Sequence, residues 1–154
     1  MIIIYKLIRI RIYMGFKFLE HTADVKVLVE ERTLSRAFST SALAMKEIIA
    51  EQILVAPKIR KEFSVEGKDK EALLYAFLEE FLYLLDAEGF LLSKAPIVKI
   101  EKKENNEGFI LSAKIIGDNA SKYTFTNSVK AITYNDMIIE EEKDKTIIEF
   151  VLDV

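Results

Sequence analysis

The sequence predicts a single α+β domain in which two helices pack on a largely antiparallel β-sheet. Two segments in the first part of the chain repeat apolar residues at helical spacing, and the residues after Gly89 alternate between apolar and polar with a period of two. No linker, repeat or low-complexity tract interrupts the 154 residues, a length typical of one domain. With 51% hydrophobic residues, the chain has enough apolar material for a sizeable core.

The first two predicted strands span residues 17–20 and 25–30. In the second strand every other residue is apolar, which is typical of a strand with one buried face: Val25, Val27 and Val29. A third strand is predicted over residues 59–66, and Gly67 closes it.

Two helices are predicted, over residues 34–50 and 70–87. Thr33 and Asp69 precede them, and such side chains commonly cap a helix by accepting a hydrogen bond from a backbone N–H. We expect the second helix to be the central core helix because it carries the larger number of apolar residues: Leu73, Leu74, Phe77, Leu78, Phe81, Leu82, Leu84 and Leu85. Gly89 is a typical C-terminal stop.

The remainder of the chain is predicted to be β-structure. The expected strands are residues 90–93, 97–103, 109–116, 123–134, 137–142 and 146–152. Residues 105–108 are rich in Asn and Gly and predict a turn. Asn135-Asp136 predicts a tight turn between two strands, and residues 143–145 predict a hairpin.

Residues 1–13 mix apolar side chains with three basic ones, which excludes both a signal peptide and a membrane-spanning helix. The strict alternation over residues 8–12 favours a strand. Two interpretations stay open: an added edge strand, or an upstream start codon with natural translation beginning at Met14. No other targeting sequence is present, so a cytoplasmic protein without membrane contact is expected, with the domain proper spanning residues 15–154.

Composition narrows the chemistry of any site. The chain has no cysteine and a single histidine, which excludes disulfides, thiolate metal sites and multi-histidine zinc sites. A metal ion would therefore be held mainly by oxygen, as calcium, magnesium and manganese are. The net charge of −3 comes from scattered acidic residues and argues against direct, stable nucleic-acid binding, so a protein partner is expected.

Two acidic residues stand at the ends of apolar, strand-like segments. Asp24 precedes the second predicted strand, and Asp153 follows the last one, immediately before Val154. Neighbouring strands lie about 4.8 Å apart, so Asp24, Asp153 and the carboxylate of Val154 converge if these two strands pair. Three anions at such distances repel and require a cation or protons. The alternative is structural, with Asp24 capping a turn and Asp153 solvated.

Three further residues have both a functional and a structural interpretation. Lys130 is either an outward position of an alternating strand or a cation that neutralises the acidic residues or holds a phosphate. Glu80 either belongs to the solvent-exposed face of the second helix or turns toward a pocket. His21 is a structural histidine or a ligand. No glycine-rich phosphate loop and no nucleophile elbow is present, so a triad hydrolase is not supported.

Four motifs in order resemble the archease family over about residues 15–154. They are H-T-A-D-V at 21–25, F-L-E-E-F-L-Y-L-L-D-A-E-G at 77–89, V-K-A-I-T-Y at 129–134 and F-V-L-D-V at 150–154. The chain departs from the family pattern in four places. Phe77 replaces a common tryptophan, Glu79-Glu80 stands where the family carries Asn-Glu, Asn135 replaces a common histidine, and residues 117–123 lack an Arg-His element.

The resemblance implies a function and a set of site residues. Archeases assist the tRNA-splicing RNA ligase, promoting guanylylation of its active-site histidine and thereby multiple turnover. The family's metal site maps onto Asp24, Asp153 and Val154 and implies one divalent ion, calcium, magnesium or manganese. Lys130 and Glu80 match further motif positions, and His21 is interpreted as a structural neighbour of the metal.

The leading hypothesis is therefore a protein cofactor, without catalytic residues of its own, that activates the ligase in tRNA splicing and RNA repair. Two alternatives stay open. Paired acids with a lysine also suit a metal-dependent phosphohydrolase or nuclease. A general chaperone-like scaffold would use the acids only structurally.

Overall fold

A computed structural model describes residues 15–20, 24–125 and 128–154 of the chain, with the backbone alone at Glu20. The predictions made for residues 1–13 and for His21 lie outside these residues. Within them the α+β prediction is confirmed: two helices of three or more turns pack against eight strands, all paired antiparallel. Neither of the described helices combines the length and the hydropathy that a membrane span requires.

The first sheet contains the beginning and the end of the described chain. Its strands are β1 (Phe16–Glu20), β2 (Asp24–Glu31), β7 (Ala131–Glu142) and β8 (Lys145–Asp153), in the order β1-β2-β8-β7. The predicted alternation in β2 is confirmed, since every second residue from Val25 to Val29 is buried. The hairpin predicted at residues 143–145 is also confirmed, because Glu142 pairs with Lys145.

A second sheet is formed by the middle of the chain, so the strands divide between two sheets. Its strands are β3 (Ile59–Gly67), β4 (Phe90–Leu92), β5 (Ile97–Lys102) and β6 (Phe109–Asn119). The long strand β6 is central: β3 pairs along one side of it, and β4 and β5 pair with different parts of its other side. The turn predicted at residues 105–108 connects β5 to β6.

Both helices begin where their capping residues predict, and the second also ends at the predicted glycine. In α1 (Leu34–Ile49) the Thr33 hydroxyl accepts from the Arg36 N–H at 3.2 Å. In α2 (Lys70–Glu88) the Asp69 carboxylate accepts from the Ala72 N–H at 2.7 Å. Gly89 follows α2 in the left-handed conformation, with φ at 63°, which a residue without Cβ adopts at little cost.

The core lies between the helices and the two sheets, and each helix contacts strands of both. The side chain of Phe77, at the centre of α2, is fully buried. Its ring lies 5.9 Å from that of Phe38 on α1, 6.0 Å from that of Phe63 on β3 and 5.1 Å from that of Phe81. The prediction that the second helix is the central core helix agrees with this packing.

The prediction of a strand over residues 123–134 is wrong in its first part. Strand β6 runs on to Asn119, the residues Ala120–Lys122 form a 3-10 turn, and β7 begins only at Ala131. The extension of β6 depends on Gly117, where an added Cβ would collide with the Leu91 carbonyl of β4. Lys130 therefore precedes β7 instead of lying within a strand.

The tight turn predicted at Asn135-Asp136 is also wrong. Strand β7 continues through these residues, and its pairing with β8 shifts register between Thr133 and Ile138. Asp136 has φ of 58°, a left-handed conformation that aspartate tolerates better than most residues. Turn-like residues here accommodate a β-bulge, which bends a strand without ending it.

Candidate functional site

The start of β2 and the end of β8 place Asp24 directly opposite Asp153. Residues paired in this way in an antiparallel sheet carry their side chains on the same face. The next pair along the two strands, Val25 and Leu152, is buried in the core. Because side chains alternate along a strand, the two carboxylates lie on the opposite face, where Asp153 is exposed and Asp24 is half-buried.

The other side of Asp153 is covered by the start of β7. Asp153 pairs with Ala131, and the Lys130 N–H donates to the Asp153 carbonyl at 2.7 Å. The side chain of Lys130 is exposed. Val154 is half-buried and packs against the hydrophobic core, which fixes the backbone next to Asp153. The structure thus brings together Asp24, Asp153, Val154 and Lys130.

Asp24 and Asp153, the acidic pair, are carboxylates at directly opposite positions of neighbouring strands, an arrangement suited to holding a cation. Like charges directly opposite each other on neighbouring strands destabilise a sheet. The donors are all oxygen, which suits magnesium, calcium or manganese and not zinc. Within the described ranges no three His, Cys, Asp or Glu side chains cluster as metal ligands do, so the side-chain contribution from these ranges is the two carboxylates.

Glu80 lies on α2, outside the two strands that carry the acidic pair. On α2, the ring of Tyr75 stacks on that of Tyr134 of β7, with 4.5 Å between centroids and 6° between planes, and Glu79 lies one turn further along the same face. Glu80 is displaced by about 100° around the helix from Glu79. Burial raises the pKa of the half-buried Glu80, and the carboxylates of Glu88 and Glu79 raise it further.

A polar cluster around Asp118 was not predicted from the sequence. This buried carboxylate accepts from the Tyr123 hydroxyl at 2.7 Å, the Asn119 N–H at 2.8 Å and the Lys122 ammonium at 3.3 Å. The Tyr123 hydrogen bond is the main cause that holds the pKa of Asp118 below its usual value, against the opposing effect of burial. The same hydroxyl accepts from the Ala56 N–H at 2.8 Å, so the cluster attaches the segment after α1 to the end of β6.

Lys46 is a second residue that sequence reasoning missed. It lies in the last turn of α1 and is buried, with its ammonium donating to the Ile53 carbonyl at 2.6 Å. Burial lowers the pKa of Lys46, an effect that the nearby Glu47 carboxylate opposes. The sequence contains a signal for this burial, because Lys46 lies three residues after Leu43 and three before Ile49, on the apolar side of the predicted helix.

Comparison with protein families gives one match over almost the whole chain. Residues 16–154 match the model of the archease protein family (MTH1598/TM1083). The protein archease of Thermococcus kodakarensis is 44% identical over 138 residues, which cover 88% of this chain and 95% of that protein. The protein archease of Aeropyrum pernix is 36% identical over 140 residues, covering 91% and 97% respectively.

Two solved structures share the fold. The solution structure of Methanobacterium thermoautotrophicum protein 1598 superposes with a TM-score of 0.78 at 30% identity, covering 92% of this chain and 100% of that one. The crystal structure of a Thermotoga maritima protein named as an archease and possible chaperone superposes with a TM-score of 0.59, covering 88% and 94%. At 17% identity, the second similarity concerns the fold alone.

Proposed function

This chain belongs to the archease family, and we propose that it is a protein cofactor that activates a tRNA-splicing RNA ligase. In this proposal it promotes guanylylation of the ligase and multiple turnover, in the cytoplasm, without performing catalysis itself. The observation that carries the proposal is the direct pairing of Asp24 with Asp153, where the two inner strands of the first sheet begin and end. A surface that concentrates negative charge on fixed strands is suited to holding a divalent ion at an interface.

Asp24 and Asp153 would supply carboxylate oxygens to that ion, and an oxygen of Val154 would supply a third donor. When bound, a divalent ion neutralises negative charge that develops on transferring phosphoryl groups. The chain's own contribution is positional: the β2–β8 register fixes the distance between the carboxylates, and the hydrogen bond from the Lys130 N–H holds the Asp153 backbone.

The donor set also bears on the identity of the ion. Calcium takes six to eight oxygen ligands, whereas magnesium is commonly held by one or two carboxylates together with water and substrate phosphates. Two carboxylates and one backbone or terminal oxygen leave positions open for phosphate oxygens. We therefore expect magnesium or manganese to support function better than calcium.

The other predicted residues receive different roles in this proposal. The exposed ammonium of Lys130, next to Asp153, is suited to contacting a phosphate. Glu80 is not a ligand in the proposal, since it lies around the helix from the face that meets β7. His21 lies outside the described residues, and the proposal keeps for it the role that the resemblance implies, a structural neighbour of the metal.

The test is a single-turnover guanylylation assay of a purified tRNA-splicing RNA ligase, with and without this protein. We expect wild type to raise the guanylylated fraction and Asp24→Ala or Asp153→Ala to abolish the stimulation while leaving thermal unfolding cooperative. Glu149→Gln is the matched control, because Glu149 lies on the same strand and face as Asp153 but opposite Leu28. Stimulation by both alanine variants at the wild-type level would refute the site.

Two other functions make different predictions. A metal-dependent phosphohydrolase would turn over generic phosphoesters with magnesium in the absence of any ligase. A chaperone-like scaffold would be indifferent to chelators and to the charge at Asp153. Measuring phosphoester turnover and the effect of EDTA on ligase stimulation separates these functions from the activator.

A further inference from the structure

A pocket of about 400 Å3 lies between the end of α1, the segment that follows it and the start of β1. Most of its wall is apolar: Phe16, Leu43, Ile53, Val55 and Pro57. It lies away from the acidic pair, because Phe16 pairs with Val29, at the opposite end of β2 from Asp24. Asp24 and Val29 are five positions apart along β2, which corresponds to roughly 17 Å.

Lys46 lines this pocket, and its ammonium has one hydrogen-bond acceptor and one longer ion-pair contact among the described residues. An ammonium has three hydrogen-bond donors. Among the described residues, the Ile53 carbonyl accepts at 2.6 Å, while the nearest Glu47 carboxylate oxygen lies 3.9 Å away, beyond hydrogen-bonding distance. The side chain of Lys46 is only 9% exposed, so an acceptor that enters the pocket would pair with a largely desolvated ammonium.

The side chain of Leu54 lies at the rim of the pocket and is 94% exposed. The backbone on both sides of it is fixed. The Gln52 N–H donates to Glu47 Oε1 at 2.7 Å, and the Ala56 N–H donates to the Tyr123 hydroxyl at 2.8 Å. Leu54 is therefore a large apolar side chain presented to solvent by an anchored segment.

We propose that this pocket is a docking site for the RNA ligase, taking an acidic side chain of the ligase next to an apolar one while Leu54 packs on the ligase surface. The proposal rests on the function proposed above. Charge complementarity supports the proposal, because a carboxylate supplies the buried Lys46 ammonium with acceptors in addition to the Ile53 carbonyl. The apolar wall and Leu54 supply the desolvated surroundings in which such a pair is strong.

Docking and activation then use separate surfaces. In this proposal the pocket binds the ligase, and the acidic pair at the other end of β2 stimulates guanylylation of the ligase. Variants of the pocket should therefore weaken binding, whereas variants of the acidic pair should remove stimulation without weakening binding to the same extent.

The experiment measures the affinity of the purified ligase for this protein by titration calorimetry, alongside the guanylylation assay. We expect Leu54→Glu and Lys46→Met each to raise the dissociation constant about tenfold or more, with stimulation restored at high protein concentration. Ile97→Glu is the matched control, because Ile97 is also a large exposed side chain, at 71%, but lies on β5 and does not line this pocket. It should bind like wild type.

The outcomes separate the two proposals. If wild type stimulates the ligase and both pocket variants bind it as tightly as wild type, the docking site is refuted and the activator function stands. If Leu54→Glu weakens binding but Lys46→Met does not, the carboxylate is refuted as the occupant. If wild type neither binds nor stimulates the ligase, the proposed function fails. Thermal unfolding of each variant identifies any loss of affinity that is caused by misfolding. Leu54→Glu, at an exposed position, should unfold like wild type.

Discussion

Replacing Asp153 by asparagine separates two opposite effects of the acidic pair on stability, repulsion between the carboxylates and stabilisation by a bound ion. Asp24 and Asp153 lie directly opposite each other, and in the absence of divalent ions this arrangement of like charges costs up to about 1 kcal/mol. The substitution removes one charge, keeps the side-chain size and retains the hydrogen bond from the Lys130 N–H to the backbone. In EDTA we therefore expect the free energy of unfolding of Asp153→Asn to equal that of wild type or to exceed it by up to about 1 kcal/mol.

Divalent ions should reverse this order. An ion that binds only the folded state raises the free energy of unfolding by about 2.7 kcal/mol when its concentration is a hundred times the dissociation constant. For a domain of this size, that gain corresponds to an increase in Tm of about 5–10 °C. The asparagine variant, which retains one of the two carboxylates, should gain little.

The assay is thermal unfolding followed by far-UV circular dichroism, in EDTA and in millimolar magnesium, manganese or calcium. The control is again Glu149→Gln, which removes a charge from β8 at a position opposite Leu28 and Ile138, where no acid faces it. This variant should respond to the ions as wild type does. A wild-type Tm that none of the three ions changes, or an equal response of Asp153→Asn, would refute the metal site.

Three further predictions concern stability. Tyr123→Phe should lower the free energy of unfolding by about 1–3 kcal/mol in urea titrations, because the hydroxyl joins the Ala56 N–H to Asp118. The control Tyr83→Phe, at an exposed tyrosine, should leave that free energy almost unchanged. The pKa of Asp118 is depressed from 3.8, so its stabilising contribution is complete above that value and is lost as the pH falls toward the folded-state pKa. Asp118→Asn should therefore show a weaker dependence of stability on pH below about 4 in urea titrations at several pH values, and an unchanged dependence would contradict this. Phe77→Ala should cost about 3–5 kcal/mol by urea unfolding, since the ring is fully buried against three others, and a loss below 1 kcal/mol would contradict the packing.

The parts of the fold that depend on local chemistry could be predicted from the sequence. Thr33 and Asp69 accept backbone hydrogen bonds within one turn of the chain, so their residue types are enough to place the helix starts. The alternation of buried and accessible residues in β2 reflects one buried face and is equally local. The acidic pair could be predicted because it required only that two apolar segments, each with an aspartate at its end, pair as neighbouring strands.

Features that depend on distant partners could not be predicted. The bulge in β7 exists because β8 continues to pair on both sides of it, whereas Asn135-Asp136 alone has the composition of a turn. The position of Glu80 depends on which face of α2 meets β7. The division of the strands into two sheets likewise follows from pairings between segments far apart in sequence.

The stack of Tyr75 on Tyr134 provides an intrinsic optical probe. The chain contains six tyrosines and no tryptophan, so its near-ultraviolet spectrum is not dominated by indole absorption. Two phenol rings held at 6° to each other couple their transitions and should give a dichroic band that disappears if either ring moves. Because this pair joins α2 to β7 close to the bulge, that band would report, without any label, whether a bound protein changes the contact between the helix and the strand.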